Sequence, residues 1–253
     1  MPNIKRGMMG AAGAGGVVAA DFDGTNDYLS IASDFSGIAD SKILSMSFWF
    51  KNAGVPDAEE MIFYTTGLRL QLEIDDDGGD NVLVLNTRDS VGDNVVRVTI
   101  RANDTGAAVW HHFCVSFDAS NSSNRGVFLD DSATYGNWYI YEDLDIEFTK
   151  GSHTLGGQDA GGNRYTGALY DFWLNMGGTR VDFETTATRR KFISAAGEPV
   201  DLGSDGSTPG FGSPTLFLTG EIDTWHTNAG SGGGMTENGE LTEVSGPVTA
   251  GSA

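Results

Sequence analysis

Leu68-Arg69-Leu70-Gln71-Leu72-Glu73-Ile74 sets four apolar residues on one side of an extended chain and three polar residues on the other. That period of two marks a half-buried strand, because successive side chains of a strand point to opposite faces. The alternation recurs in both directions along the chain. Leu44, Met46, Phe48 and Phe50 share one face, with Ser45, Ser47 and Lys51 opposite. Val96, Val98 and Ile100 repeat it, as do Phe113, Val115 and Phe117, and later Ala168, Tyr170, Phe172 and Leu174. Turn clusters separate the runs, among them Asp75-Asp76-Asp77-Gly78-Gly79-Asp80 and Ala119-Ser120-Asn121-Ser122-Ser123-Asn124. Many short strands at this spacing predict an all-β fold, a two-sheet antiparallel jelly-roll sandwich. One short helix is expected at 183–195. Asp182 and Glu184 stand at its start, Arg189, Arg190 and Lys191 at its end, and Gly197 after it, a charge order that suits the helix dipole.

The chain has 253 residues, of which 36 are glycine, and a formal net charge of −20. So acidic a protein is not a sequence-independent nucleic-acid binder, since that affinity comes from Lys and Arg neutralising phosphates. Nor does it suit an anionic lipid surface, and no stretch approaches the roughly 20 apolar residues of a membrane span. The single cysteine, Cys114, excludes an intrachain disulfide. Residues 1–20 read as a glycine-rich arm. Five glycines between Gly7 and Gly16 make a poor apolar helix, which argues against a signal peptide. Residues 21–200 hold the jelly roll. Residues 201–253 form a second glycine-rich arm, read as an extension packed on the sandwich, with a short strand at Leu216-Phe217-Leu218.

Five ordered blocks carry a family resemblance. Phe22-Asp23-Gly24-Thr25-Asn26-Asp27-Tyr28-Leu29 is followed by Met46-Ser47-Phe48-Trp49-Phe50-Lys51, then by Trp110-His111-His112-Phe113-Cys114-Val115-Ser116-Phe117-Asp118. Val127-Phe128-Leu129-Asp130 and Gly167-Ala168-Leu169-Tyr170-Asp171-Phe172-Trp173-Leu174 complete the set. Together, over residues 20–175, they resemble the laminin-G-like, concanavalin A-like jelly rolls. Asp131 stands where that family usually has a turn glycine, and Phe172 where it often has an acid. The flanks, Lys5-Arg6-Gly7-Met8-Met9-Gly10 and the segment from Phe217 to Gly239, are similar to pieces of tailed-bacteriophage structural proteins. The resemblance implies a non-enzymatic virion protein on the capsid or tail surface. Its arms, through Met8 and Met9, would dock on other virion proteins and copies of itself, and its sandwich would meet host-surface glycans. A free lectin or carbohydrate-binding module is the alternative, and a jelly-roll glycoside hydrolase a third.

The candidate site residues follow from these readings. Laminin-G-like sandwiches often hold a rim calcium ion, and Asp23, Asp27 and Asp171 are the expected carboxylate ligands for Ca2+. Tyr135, Trp138, Tyr139 and Tyr141 offer aromatic faces for sugar rings. Asp143-Leu144-Asp145-Ile146-Glu147 has the acid-x-acid-x-acid pattern of one glycosidase clan. Its first member is shortened to Asp, and the run reads more simply as an acidic strand edge. His111 and His112 are neighbours on a strand and should point to opposite faces, one near the core and one outside, which disfavours a shared metal. Cys114 reads as a small buried filler. Trp110, opening the most family-like block, is expected between the sheets.

Overall fold

The computed structural model describes residues 17–247 except 55, 57, 79–80, 103–108, 134–135 and 159–161. Two antiparallel sheets hold nearly all of the regular structure. The first strands are β1 (Val18–Asp23), β2 (Tyr28–Ile31), β3 (Ile43–Asn52), β4 (Glu60–Thr65) and β5 (Leu70–Asp76). Next come β6 (Asn81–Arg88), β7 (Asn94–Ala102), β8 (His111–Asp118), β9 (Arg125–Leu129) and β10 (Gly136–Tyr141). The last are β11 (His153–Leu155), β12 (Thr166–Met176), β13 (Leu216–Leu218), β14 (Thr236–Asn238) and β15 (Thr242–Ser245). Sheet A runs β15-β1-β12-β3-β8-β9, with β13 also on β12; sheet B runs β10-β7-β6-β5-β4-β11-β2-β14.

The alternating strands make the core. Leu44, Met46, Phe48 and Phe50 of sheet A meet Leu70, Leu72 and Ile74 of sheet B, and Phe113, Val115 and Phe117 meet Val96, Val98 and Ile100, all buried in one cluster. Burying a side chain of this size contributes roughly 1.5–3 kcal/mol. The run around Glu73 starts later than its pattern suggests. Leu68 has a left-handed backbone, φ 65°, and lies in the turn after Gly67, so β5 begins at Leu70.

Strand β12 departs from simple alternation. Leu169 and Phe172 both point into the inter-sheet core, so the two residues between them form a bulge. The pairing with β3 shifts register between Tyr170 and Trp173, and Asp171 adopts φ 48°. Tyr170 therefore does not share a face with Phe172 and Leu174. Trp173 points outward instead, into a second cluster with Cys114, Phe128, Val181, Phe183, Phe192, Leu202 and Phe217. That cluster seals the outer face of sheet A beneath the segment from Val181 to Phe217.

The expected helix is a single turn, Thr186–Arg189. Its Thr-rich sequence is a weak helix former, and Phe183 and Phe192 are drawn into the second cluster on either side. Arg189 donates to the Phe183 carbonyl at 2.6 Å and to Asp131 Oδ1 at 2.5 Å, while Arg190 reaches Asp131 Oδ2 at 2.5 Å. Asp131 thus keeps a left-handed turn, φ 65°, that glycine would adopt without strain. Its carboxylate is the latch that holds the cap on sheet A.

The C-terminal segment is woven into the sandwich rather than laid upon it. β13 pairs with β12, β14 with β2 and β15 with β1, so both sheets depend on residues beyond 200. Val18–Ala20 belong to β1 rather than to an arm. Met8 and Met9 lie outside the described residues. Val17 and Gly246 are joined by a backbone hydrogen bond of 2.7 Å, which brings both ends of the described chain to one corner of sheet A.

Candidate functional site

Sheet B carries the counterpart of the sealed face. The register lines up one outward residue from each strand: Thr236, Ser30, Thr154, Tyr64, Gln71, Asn86, Arg97 and Ile140. A second row places Met61, Glu73, Val84, Thr99 and Asn137 side by side. These positions are outward because their neighbours Leu70, Leu72, Ile74, Leu83, Leu85, Val96 and Val98 fill the core. The first row is polar over nearly its whole length, with one aromatic ring, Tyr64.

Two of these polar groups are buried with an oxygen that has no partner among the described residues. Glu73 is 9% exposed and Asn86 8% exposed, and neither Glu73 Oε2 nor Asn86 Oδ1 accepts a hydrogen bond. An unsatisfied buried polar atom costs roughly 1–3 kcal/mol, so native proteins retain few of them. Burial pushes the Glu73 carboxyl up to about 7. Glu59 and Asp75 add to the rise, and Arg97 opposes it. A carboxyl that keeps its proton near neutrality can donate as well as accept.

A separate cleft opens on sheet A, where β1 hands over to β13 along the edge of β12. β1 pairs with β12 from Thr166 to Leu169, and β13 pairs from Phe172 to Leu174, leaving Tyr170 and Asp171 at the gap. The cavity there measures about 370 Å³ and is lined by Val17, Tyr170, Asp171, Asp201, Phe217 and Thr219 among others. Asp171 Oδ1 accepts from Thr219 Oγ1 at 2.5 Å. Burial pushes its carboxyl up to about 6 against the hydrogen bonds that favour the ion.

The expected calcium ligands do not converge. Asp23 pairs with Thr166, and Thr166 is five residues from Asp171 on the same strand, roughly 17 Å at strand rise. Asp23 Oδ1 is taken by the N–H groups of Thr25, Asn26 and Asp27, which together hold its pKa below the usual range. Asp27 accepts from the N–H groups of Asp23 and Glu240. These carboxylates close a turn and bind the C-terminal segment. Among the described residues no group of three or more His, Cys, Asp or Glu is placed to share an ion. The three residues therefore do not fit a common Ca2+ site.

The aromatic quartet is also divided. Trp138 and Tyr141 turn toward the sandwich and pack edge-on against Phe117, with the Arg125 guanidinium over both rings. The Tyr141 hydroxyl donates to the Asp118 carbonyl at 2.7 Å. Tyr139, at the register shift of β10, is 65% exposed. Tyr135 lies outside the described residues.

The acidic run at 143–147 is not a strand. Asp143 pairs with Lys42 at 2.5 Å, while Glu147 is drawn to Arg69 at 2.5 Å. Ile146 and Phe148 are core. Both histidines are buried, contrary to the expectation of one outside. His111 Nδ1 meets Asp130 Oδ2 at 2.6 Å and His112 Nε2 meets Ser47 Oγ at 2.9 Å. Burial lowers the His112 pKa to about 4, so the ring is neutral. Cys114 is a buried member of the cap cluster, and burial pushes its thiol up. Trp110 precedes β8 and is only half-buried. Its Nε1 donates to the Ser245 carbonyl at 3.3 Å and Lys51 lies over the ring.

The polar face of sheet B is half legible in sequence. Gln71 and Glu73 are the polar phase of the clearest alternating strand, and Asn86 interrupts an apolar run at Val82–Leu85. Which strands would lie beside one another was not legible, and only that adjacency assembles the row.

Residues 23–175 match the family model of the concanavalin A-like lectin/glucanases superfamily, well over half of the chain. A candidate carbohydrate binding protein from Bacteroides ovatus is similar over 92% of this chain and 62% of its own, at 15% identity and a TM-score of 0.55. The chain thus spans less than two thirds of that protein. A heptameric SAP-like pentraxin from Limulus polyphemus is similar over 65% of this chain and 77% of its own, at 16% identity and a TM-score of 0.49. At such identities the likeness is one of fold. No curated protein matches the chain.

Proposed function

The chain belongs to the concanavalin A-like lectin/glucanases superfamily, and from that premise we propose that it is a non-enzymatic glycan-binding protein carried on a tailed-bacteriophage particle. The observation that carries the glycan half is the outer face of sheet B, where two adjacent rows of largely polar side chains include two buried oxygens lacking partners. Sugars present rings of hydroxyl donors, which such a face can satisfy. The hydrolase alternative has less support, because Asp143, Asp145 and Glu147 do not share a strand face and two of them are engaged by Lys42 and Arg69.

The virion half rests on the likeness of the flanking segments to phage structural proteins. One geometric feature supports it. The two ends of the described chain meet at a corner of sheet A, whereas the polar face belongs to the opposite layer. Attachment through residues 1–16 would leave that face free to meet a host surface. The test has two arms. Full-length protein and a form lacking Met1 to Gly16 are compared for incorporation into particles, and the purified protein is screened on a broad glycan array. Loss of incorporation on truncation, with array binding retained, is the expected result. Equal incorporation removes the docking role of the arm, and an empty array removes the glycan role.

A further inference from the structure

On the outer face of sheet B the two unpartnered buried atoms are of one chemical kind. Glu73 Oε2 and Asn86 Oδ1 are both acceptors, on side chains that are 9% and 8% exposed. The Asn86 amide is oriented by its own nitrogen, which points to Gln71 Oε1 at 3.4 Å. Glu73 faces Val84, and Gln71 faces Asn86, so Glu73 and Asn86 are diagonal neighbours across β5 and β6. Diagonal pairs stand roughly 7–8 Å apart at the backbone, a span that one or two sugar rings bridge. What is missing at this place is a donor to Asn86 Oδ1 and a partner for Glu73 Oε2 that serves the carboxyl with or without its proton, and a hydroxyl, which donates and accepts, can be both.

The charges around the pair favour the same ligand. Glu59 and Asp75 both act on Glu73, and Arg97 is the countercharge beside them. Arg97 is set opposite Asn86 on β7, and the whole chain carries a net charge of −20. A ligand carboxylate or sulfate brought here would add acceptors where acceptors already lack partners. It would also be repelled by the neighbouring acids. A hydroxyl pays neither penalty.

Resting on the glycan-binding reading above, we infer that this face selects saccharides that present hydrogen-bond donors and carry no acidic group, with Glu73 and Asn86 as the residues that set this preference. The probes are laminarin, dextran and N-acetylchitohexaose as neutral ligands, and polygalacturonate and heparin as acidic ones. Binding to the full-length protein is measured by calorimetry at pH 7. At least one neutral probe should bind, with the acidic probes about tenfold or more weaker. Glu73→Met and Asn86→Leu should each weaken the neutral ligand by about tenfold, the scale of one lost hydrogen bond of roughly 1.4 kcal/mol. Melting curves of both variants establish that they are folded, and if Glu73→Met does not fold, Asn86→Leu decides alone. Acidic probes bound as tightly as neutral ones, or unchanged neutral binding in the folded variants, overturns the inference while leaving glycan binding intact. Binding to none of these probes or to any array glycan overturns the broader reading, and this one with it.

Discussion

Sheet A and sheet B give inner faces of the same chemistry to one core, yet their outer faces are finished differently. Sheet A sends Trp173, Cys114 and Phe128 outward and covers them with Val181, Phe183, Phe192 and Leu202. The Asp131–Arg189 and Asp131–Arg190 pairs fasten that cover. Sheet B sends Tyr64, Gln71, Glu73, Asn86 and Arg97 outward across four adjacent strands. One outer face is therefore largely a second core, and the other is a polar surface. The difference teaches where to look for function in a sandwich: on the face that carries a polar row instead of an apolar cap.

The contrast can be attacked first at the sealed side. Trp173 is fully buried and its Nε1 donates to the Gly206 carbonyl at 3.0 Å. Trp173→Ala should cost about 3–5 kcal/mol in chemical denaturation, the scale of a large core truncation. A midpoint near that of the parent would mean that the cap is not a core.

On the open side, Glu73 should behave in the opposite sense. Its folded pKa, about 7, lies above the ordinary value of 4.5 because of burial. Folding therefore favours the protonated form, and stability is full below about pH 4.5 and lost as pH rises through 7. Glu73→Gln should leave stability unchanged at pH 4 and raise it by about 2 kcal/mol at pH 8, after a discount for partial solvent screening. Identical pH profiles for parent and variant would remove the buried-carboxyl account.

Asp131→Gly sharpens the comparison at the latch. Glycine relieves the left-handed backbone at φ 65° but removes both arginine contacts. The contacts should outweigh the relief, for a net loss of about 1–2 kcal/mol. A rise in the denaturation midpoint would show the latch to be inert. Smaller still, Trp110→Ala should cost about 1 kcal/mol or less, since the ring is half-buried at the sheet margin. Least of all, calcium chelation should leave the melting temperature unchanged, because Asp171 is set apart from Asp23 and Asp27 and all three are bonded to the protein. A drop on chelation would reveal an ion held by other groups.

The inner faces were open to sequence reading because alternation reports directly on burial, as Phe48 with Phe50 and Leu72 with Ile74 illustrate. Three features were not. The bulge at Tyr170 and Asp171 inserts one residue without any sequence signal, so alternation groups Tyr170 with Phe172 although the bulge separates them. The place of Trp110 in a family-like block points to the core, but it precedes the first strand residue, where alternation no longer governs. The calcium trio and the aromatic quartet rest on residue type alone. Register distance separates Asp23 from Asp171, and strand orientation separates Tyr139 from Trp138 and Tyr141. The polar row suffered the converse: its residues were visible, and their adjacency was a property of strand order alone.

Amide hydrogen exchange with and without a saturating neutral saccharide tests the two-face account most directly. Protection should concentrate in β4 to β7, around Tyr64, Gln71, Glu73, Asn86 and Arg97, with the capped segment from Val181 to Phe217 unchanged. Protection centred instead on Tyr170, Asp171 and Thr219 would move the binding site to the cleft on sheet A and contradict the account.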